Sequence, residues 1–146
     1  MQNSTAPPPV DYADALDAAV AGTTDTLAGN SIDMINAHGV DFLIFFGTIT
    51  AAAVTTVIVQ ESDDDSAWVT VTGTSTSIAV ADDDSMCVIR LIRSNFARRY
   101  LRVSVTRATA NAVIEKGVAM IYQNAGAITV GGQSDTVLIA AGVTTI

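Results

Sequence analysis

The sequence has very little of what most enzymes and disulfide-stabilised domains need. Its single cysteine, Cys87, excludes a disulfide framework within the chain, and its place in the apolar run 86–89 predicts a small buried side chain. Its single histidine, His38, precedes Gly39 at a predicted turn. There is no nucleophile motif, phosphate loop, dinucleotide fingerprint or metal-spaced set of histidines and cysteines. We therefore expect no catalysis, no cofactor and no metal site.

Lysine and aromatic residues are also scarce. Lys116 is the one lysine, and the aromatic residues make up 5% of the chain, few for the exposed rings that sugars or single-stranded nucleic acids stack on. The net charge is −8, which opposes binding to phosphate backbones. Arginine without lysine favours bidentate pairing with carboxylates, either of the chain itself or of a partner. The composition thus predicts no nucleic-acid partner.

Long helical patterns are missing, and Ala, Val, Thr and Ile dominate the composition, which favours strands. Residues 42–59 carry no charge and approach the length that spans a bilayer. Gly47 interrupts this stretch, and no lysine or arginine flanks it. Two strands joined by small residues are predicted instead, with no membrane partner. The first nine residues also lack the basic and apolar regions of a secretory signal.

The chain divides by composition into an arm, a body and a tail. Residues 1–28 have few large apolar side chains and are predicted to form a flexible arm, extended by the run Pro7, Pro8 and Pro9. Residues 29–123 are predicted to form the body. Residues 124–146 form a tail whose apolar triplet Val137, Leu138 and Ile139 either adds a last strand to its own sheet or is exchanged onto a neighbouring subunit.

The body contains eight short strand-like segments separated by turn signals. The clearest is residues 99–107, where Leu101, Val103 and Val105 alternate with polar side chains and should face the core. Eight antiparallel strands predict an all-β fold, a jelly-roll-like β-sandwich. The predicted strands are 31–36, 40–48, 54–61, 67–72, 76–80, 86–93, 99–107 and 113–123.

Charge is segregated along the chain. All seven basic residues lie within residues 90–116 together with one acid, whereas the remaining sequence has fourteen acids and no base. Such polarity predicts a docking surface. The arginines proposed to bind the partner are Arg90, Arg93, Arg98, Arg99, Arg102 and Arg107.

Two acidic triplets, residues 63–65 and 82–84, adjoin predicted strands. Several carboxylates could bind calcium, but neither triplet has the alternating spacing of a calcium loop. Asp and Ser favour turns by bonding their own backbone, so solvated hairpin turns are the preferred interpretation.

Two segments carry a resemblance to a known class of proteins. VQESDDDSAWVTV (residues 59–71) combines a strand, an Asp-rich turn and Trp68, and RYLRVSV (residues 99–105) supplies a later core strand. This arrangement, over roughly residues 40–123, resembles the capsid cement, or decoration, proteins of tailed bacteriophages. Similar Asp-Asp-x-x-Trp turns also occur in β-sandwich sugar-binding modules.

The resemblance implies a structural protein of the virion on the outer capsid surface, often a trimer. Its expected partners are the major capsid protein and other copies of itself, and it would stabilise the shell by bridging neighbouring capsid subunits. The proline run, the arginines and the apolar triplet of the tail would make these contacts. The alternative is a tail or baseplate module that binds host-surface carbohydrate.

Overall fold

The computed structural model of the chain describes residues 10–20, 25–109 and 112–123. Short 3₁₀ turns occur at Val80–Asp82 and Arg93–Asn95. The strands in these residues are β1 (Val10–Leu16), β2 (Asp25–Ala28), β3 (Ile32–Asp33), β4 (Ala37–Ile49), β5 (Val54–Ser62), β6 (Val69–Thr70), β7 (Thr76–Ile78), β8 (Met86–Ile92), β9 (Tyr100–Thr109) and β10 (Ala112–Gln123).

The strands form two antiparallel sheets. Sheet A has the order β1-β10-β4-β8, and sheet B has the order β2-β9-β5-β6. Within sheet B, β3 pairs with β9 beyond the end of β2, and β7 pairs with β5 beside β6. The two sheets form a sandwich, which confirms the predicted all-β fold.

The core lies between the two sheets. Leu101, Val103 and Val105 of β9 are fully buried, as their alternation predicts. Each full burial contributes about 1.5 to 3 kcal/mol. The same apolar cluster holds the inward side chains of β4 and β8, namely Val40, Phe42, Ile44, Phe46, Cys87, Ile89 and Leu91.

Each of the eight predicted strands overlaps an observed one, although the predicted segments 31–36 and 67–72 contain only the two-residue strands β3 and β6. The predicted flexible arm, by contrast, contains two strands. Within residues 1–28, Val10–Leu16 form β1 along β10, and Asp25–Ala28 form β2 along β9. An edge strand obtains its hydrogen bonds from one neighbour and needs few large side chains; Ala15 and Leu16 supply the buried contacts of β1. Pro7, Pro8 and Pro9 lie outside the described residues, as do Val137, Leu138 and Ile139.

The uncharged stretch 42–59 forms the second half of β4, a turn and the first part of β5. Ala52 in that turn adopts a left-handed conformation with φ of 65°. Across the described ranges, no helix has the length and apolarity needed to cross a membrane.

Cys87 should be inert towards thiol reagents in the folded protein. Its side chain is fully buried, and burial, with a smaller contribution from Asp82, raises the pKa of the thiol to about 11. At pH 8 this lowers the thiolate fraction roughly a hundredfold relative to an unperturbed cysteine. We expect a thiol-alkylating reagent to leave the native chain unmodified and to modify Cys87 completely in denaturant, with the adduct detected by mass spectrometry. Rapid native labelling would contradict the buried placement.

Candidate docking surface

The six arginines that the sequence grouped as one docking face do not share a surface. Arg90 lies on the outer side of sheet A, and Arg102 lies on the outer side of sheet B. Arg107 lies in the interior, and Arg93, Arg98 and Arg99 lie in and beside the turn that precedes β9. The predicted single arginine face is therefore wrong. β8 and β9 belong to opposite sheets, so the outward side chains of Arg90 and Arg102 lie on opposite faces, and Arg107 lies at the inward parity of β9.

Arg107 is an internal structural residue and cannot contact a partner. It is 2% exposed, and it follows the inward series of β9 at the same two-residue period. Its Nε and Nη2 donate to the two carboxylate oxygens of Asp25, each at 2.7 Å, while Nη1 donates to the carbonyls of Val20 at 2.9 Å and Ala112 at 3.0 Å. The bond to Asp25 raises the pKa of Arg107.

Arg90 belongs to a polar triad on the outer side of sheet A. Its Nε and Nη2 donate to the carboxylate of Asp41 at 2.7 and 2.6 Å, and Tyr122 Oη donates to the same carboxylate at 2.7 Å. Asp41 is only 4% exposed, whereas the side chain of Arg90 is 52% exposed. The bond to Asp41 raises the pKa of Arg90, and burial is the largest cause that raises the pKa of Tyr122.

The arginines around the turn before β9 pair with acids of the same chain. Arg99 makes a bidentate pair with Asp33 at 3.0 and 2.7 Å, which lowers the pKa of that carboxyl group. Arg98 Nη1 lies 3.1 Å from Asp63, and Arg93 Nη1 donates to the carbonyl of Arg98 at 3.1 Å. Exposed pairs of this kind contribute little to stability.

Arg102 covers Trp68, the residue on which a sugar-binding interpretation would depend. The guanidinium carbon lies 4.2 Å from the centroid of the indole ring, and Nε donates to Gln60 Oε1 at 2.9 Å. Burial lowers the pKa of Arg102. One face of the ring therefore holds a cation–π contact rather than an open stacking surface.

The acidic triplets organise turns. Asp64 Oδ1 accepts hydrogen bonds from Ser62 Oγ and from the backbone N–H groups of Ser66 and Ala67, which lowers the pKa of Asp64. Asp83 Oδ1 accepts a bond of 2.6 Å from the backbone N–H of Ile49. Within the part of the chain that the structure describes, no group of three or more His, Cys, Asp or Glu residues could hold a metal ion.

The surface that sequence reasoning missed is the outer side of sheet A, which we call the apolar outer face. Tyr12 and Phe45 on it are 68% and 36% exposed. Asp41 and Arg90 are its central polar residues, and an ion pair of 3.2 Å between Lys116 and Asp14 lies towards one end of it. Register and burial place the following apolar side chains on it: Val10, Tyr12, Leu43, Phe45, Met86, Val88, Ile92, Val118, Met120 and Tyr122.

The outer side of sheet B has a different character. A row of hydroxyl side chains crosses four strands, formed by Thr26, Thr106, Thr56 and Ser77. Beyond it, Ile58 lies opposite Ser104, and Gln60 lies opposite Arg102. The sandwich therefore has one apolar and one polar outer face.

The sequence does contain the signal for this asymmetry. Residues 42–46 of β4 and 118–122 of β10 are apolar at both parities and contain no charged residue, whereas β9 alternates. A strand that is apolar on both sides is typical of a sheet covered on both faces.

The fold of this chain is similar to that of chains in solved virus structures. The chain is similar to a chain in a structure of infectious bursal disease virus, Gx strain, with a TM-score of 0.53 and 10% identity over 82% of this chain. A chain in a structure of the Gt strain of that virus gives a TM-score of 0.50 and 13% identity, again over 82%. This chain spans 33% of each of those chains. No protein-family model and no curated protein matches the sequence. At this identity, what the chain shares with these viral chains is the β-sandwich fold.

Proposed function

We propose that the chain is a structural protein of a virus particle that lies on the outer capsid surface and bridges neighbouring subunits of the major capsid protein. The observation that carries this proposal is the difference between the two outer faces of the sandwich. A protein that lies on a shell needs one face suited to protein contact and one suited to water. The apolar outer face meets the first need, and the hydroxyl-rich side of sheet B meets the second.

The residue types on the apolar outer face favour a protein partner. Tyr12, Phe45, Met120 and Arg90 belong to the types enriched in protein–protein interfaces. Tyr122 and Arg90 together satisfy the buried Asp41, so the charge at the centre of this face is already neutralised within the chain. An apolar partner surface can therefore cover it without leaving a carboxylate unpaired.

The size of this face favours attachment by several contacts at once. Four strands and four cross-strand rows give an area of roughly 400 Å², about half of what one partner contributes to a standard stable interface. Association of copies, for example as a trimer, would sum such contacts into strong attachment. The similarity in fold to chains of two solved virus structures supports a role in the virion. Within that role, we propose that the chain is a capsid cement protein of a tailed bacteriophage.

Counting copies in purified virions tests the proposal. We expect quantitative mass spectrometry to give a copy number comparable to that of the shell protein, because a cement protein decorates the whole surface. A count as low as that of a tail protein measured in the same sample would contradict capsid attachment. In that case, reproducible binding on a glycan array would favour the carbohydrate-binding alternative.

A further inference from the structure

The sheet edges within the described residues differ in how well they are protected. The β1 edge carries Asp11 and Asp14 and is broken by a register shift between Asp14 and Leu16. In sheet B the edge strands are short, with two to four residues each. Charge, bulges and shortness all oppose the addition of a further strand.

The β8 edge has none of these protections. The strand has seven residues, contains neither proline nor lysine, and pairs with β4 without a register shift. Its one charged residue, Arg90, is drawn onto Asp41. Among the described residues, no strand pairs with the other side of β8. A regular apolar edge of this kind is a template for strand pairing.

The hydrogen-bond alternation identifies the backbone groups at this edge. Phe46 N–H donates to the Ser85 carbonyl at 2.9 Å, which fixes the parity of the β4–β8 ladder. Cys87, Ile89 and Leu91 therefore bond to β4. The alternate residues Met86, Val88, Arg90 and Ile92 present their backbone groups to the open edge. Of these, the Ile92 N–H already donates to Asn95 Oδ1 at 2.9 Å.

We propose that residues 136–140 of the same chain pair antiparallel with β8 and become the fifth strand of sheet A. Sheet A is apolar on both sides, so a strand that joins it needs apolar residues at both parities. The segment provides them, with Val137 and Ile139 on one side and Leu138 and Ala140 on the other. This inference concerns the fold of the single chain and does not depend on the proposed function.

The position of the chain end makes this pairing geometrically accessible. β10 ends at Gln123, at the end of sheet A where Gly39 pairs with Ile92, the last residue of β8. Three strand spacings, about 14 Å, separate β10 from the open side of β8. Residues 124–135 can span about 40 Å. A segment entering from this end runs antiparallel to β8, and the tether gives it an effective concentration in the millimolar range.

Amide hydrogen exchange of the full chain, resolved by residue by NMR, tests the proposal. Residues Val88 and Arg90 should exchange about a hundredfold more slowly than exposed amides. The double variant Val137→Pro/Leu138→Pro should remove this protection. Adjacent residues of a strand direct their N–H groups to opposite sides, so one of these two must face β8, and proline cannot donate there. The matched double variant Thr144→Pro/Thr145→Pro, outside the segment, should retain the protection. Protection at Ile89 should persist in both variants, which shows that the sandwich stays folded.

Two results would overturn the proposal. One is equal exchange at Val88 and Arg90 in the unsubstituted chain and in Val137→Pro/Leu138→Pro. The other is protection that disappears when the protein is diluted to a monomer, measured by sedimentation, because the added strand would then come from a second copy. Protection that is independent of concentration and lost only in Val137→Pro/Leu138→Pro supports pairing within the chain.

Discussion

Replacing Arg107 by methionine should destabilise the protein by about 2 to 4 kcal/mol, because a buried donor is removed from two backbone carbonyls and from Asp25, whose own side chain is 30% exposed and stays partly solvated. Such a loss is a large fraction of the 5 to 15 kcal/mol that typically stabilises a domain, so the variant should unfold at a clearly lower urea concentration. The physical reason is the number of groups that one side chain satisfies. Without the guanidinium, the carbonyls of Val20 and Ala112 lose their donor, and β2 loses its bidentate link to β9.

Arg99→Met is the matched control for this substitution. Arg99 also makes a bidentate pair with an aspartate, but its side chain is 46% exposed, so its loss should cost less than about 1 kcal/mol. Urea unfolding followed by circular dichroism measures both variants. Arg107→Lys should fall between them, because an ammonium group cannot reproduce the planar fork. Equal urea midpoints for Arg107→Met and Arg99→Met would show that the burial of the arginine does not determine how much each pair contributes to the free energy of unfolding.

Local patterns in the sequence were sufficient for the strands of the body. Alternation at Leu101, Val103 and Val105 and the turn residues between segments are local properties, so they located all eight strands, although β3 and β6 are shorter than predicted. β1 and β2 were missed because each is an edge strand whose order comes from a neighbour distant in sequence. β1 pairs with β10, more than a hundred positions away, and its own residues include acids that resemble those of a solvated arm.

The docking surface was harder to predict because the arginines were grouped by their positions in the sequence, whereas a surface is formed by residues on neighbouring strands. The inward period of β9 continues from Val105 to Arg107 and could have placed that arginine in the core. The asymmetry of the outer faces depends on which strands become neighbours. Only the order β10-β4-β8 brings Val118, Leu43 and Val88 into one row.

The second large effect is expected at the centre of the apolar outer face. Leu43→Lys should weaken attachment to the shell roughly thirtyfold to a hundredfold, the effect of losing a contact worth about 2 to 3 kcal/mol. Leu43 is half-buried and lies between Val118 and Val88, so a lysine there introduces a charge where a partner would remove water. The long side chain can extend towards solvent in the unattached protein, so the sandwich should remain folded.

Ile58→Lys is the matched control, since Ile58 is also a half-buried apolar residue in the middle of an outer face, but on sheet B. Both variants add one positive charge, so a difference between them reports the face and not the net charge. Co-sedimentation with particles that lack the protein measures attachment, and thermal unfolding confirms the fold of each variant. If Ile58→Lys abolishes attachment while Leu43→Lys retains it, the polar face is the one that contacts the shell. Full attachment of both variants would remove the centres of the two sheet faces from the mechanism, and the turns and the segments 1–9 and 124–146 would be tested next.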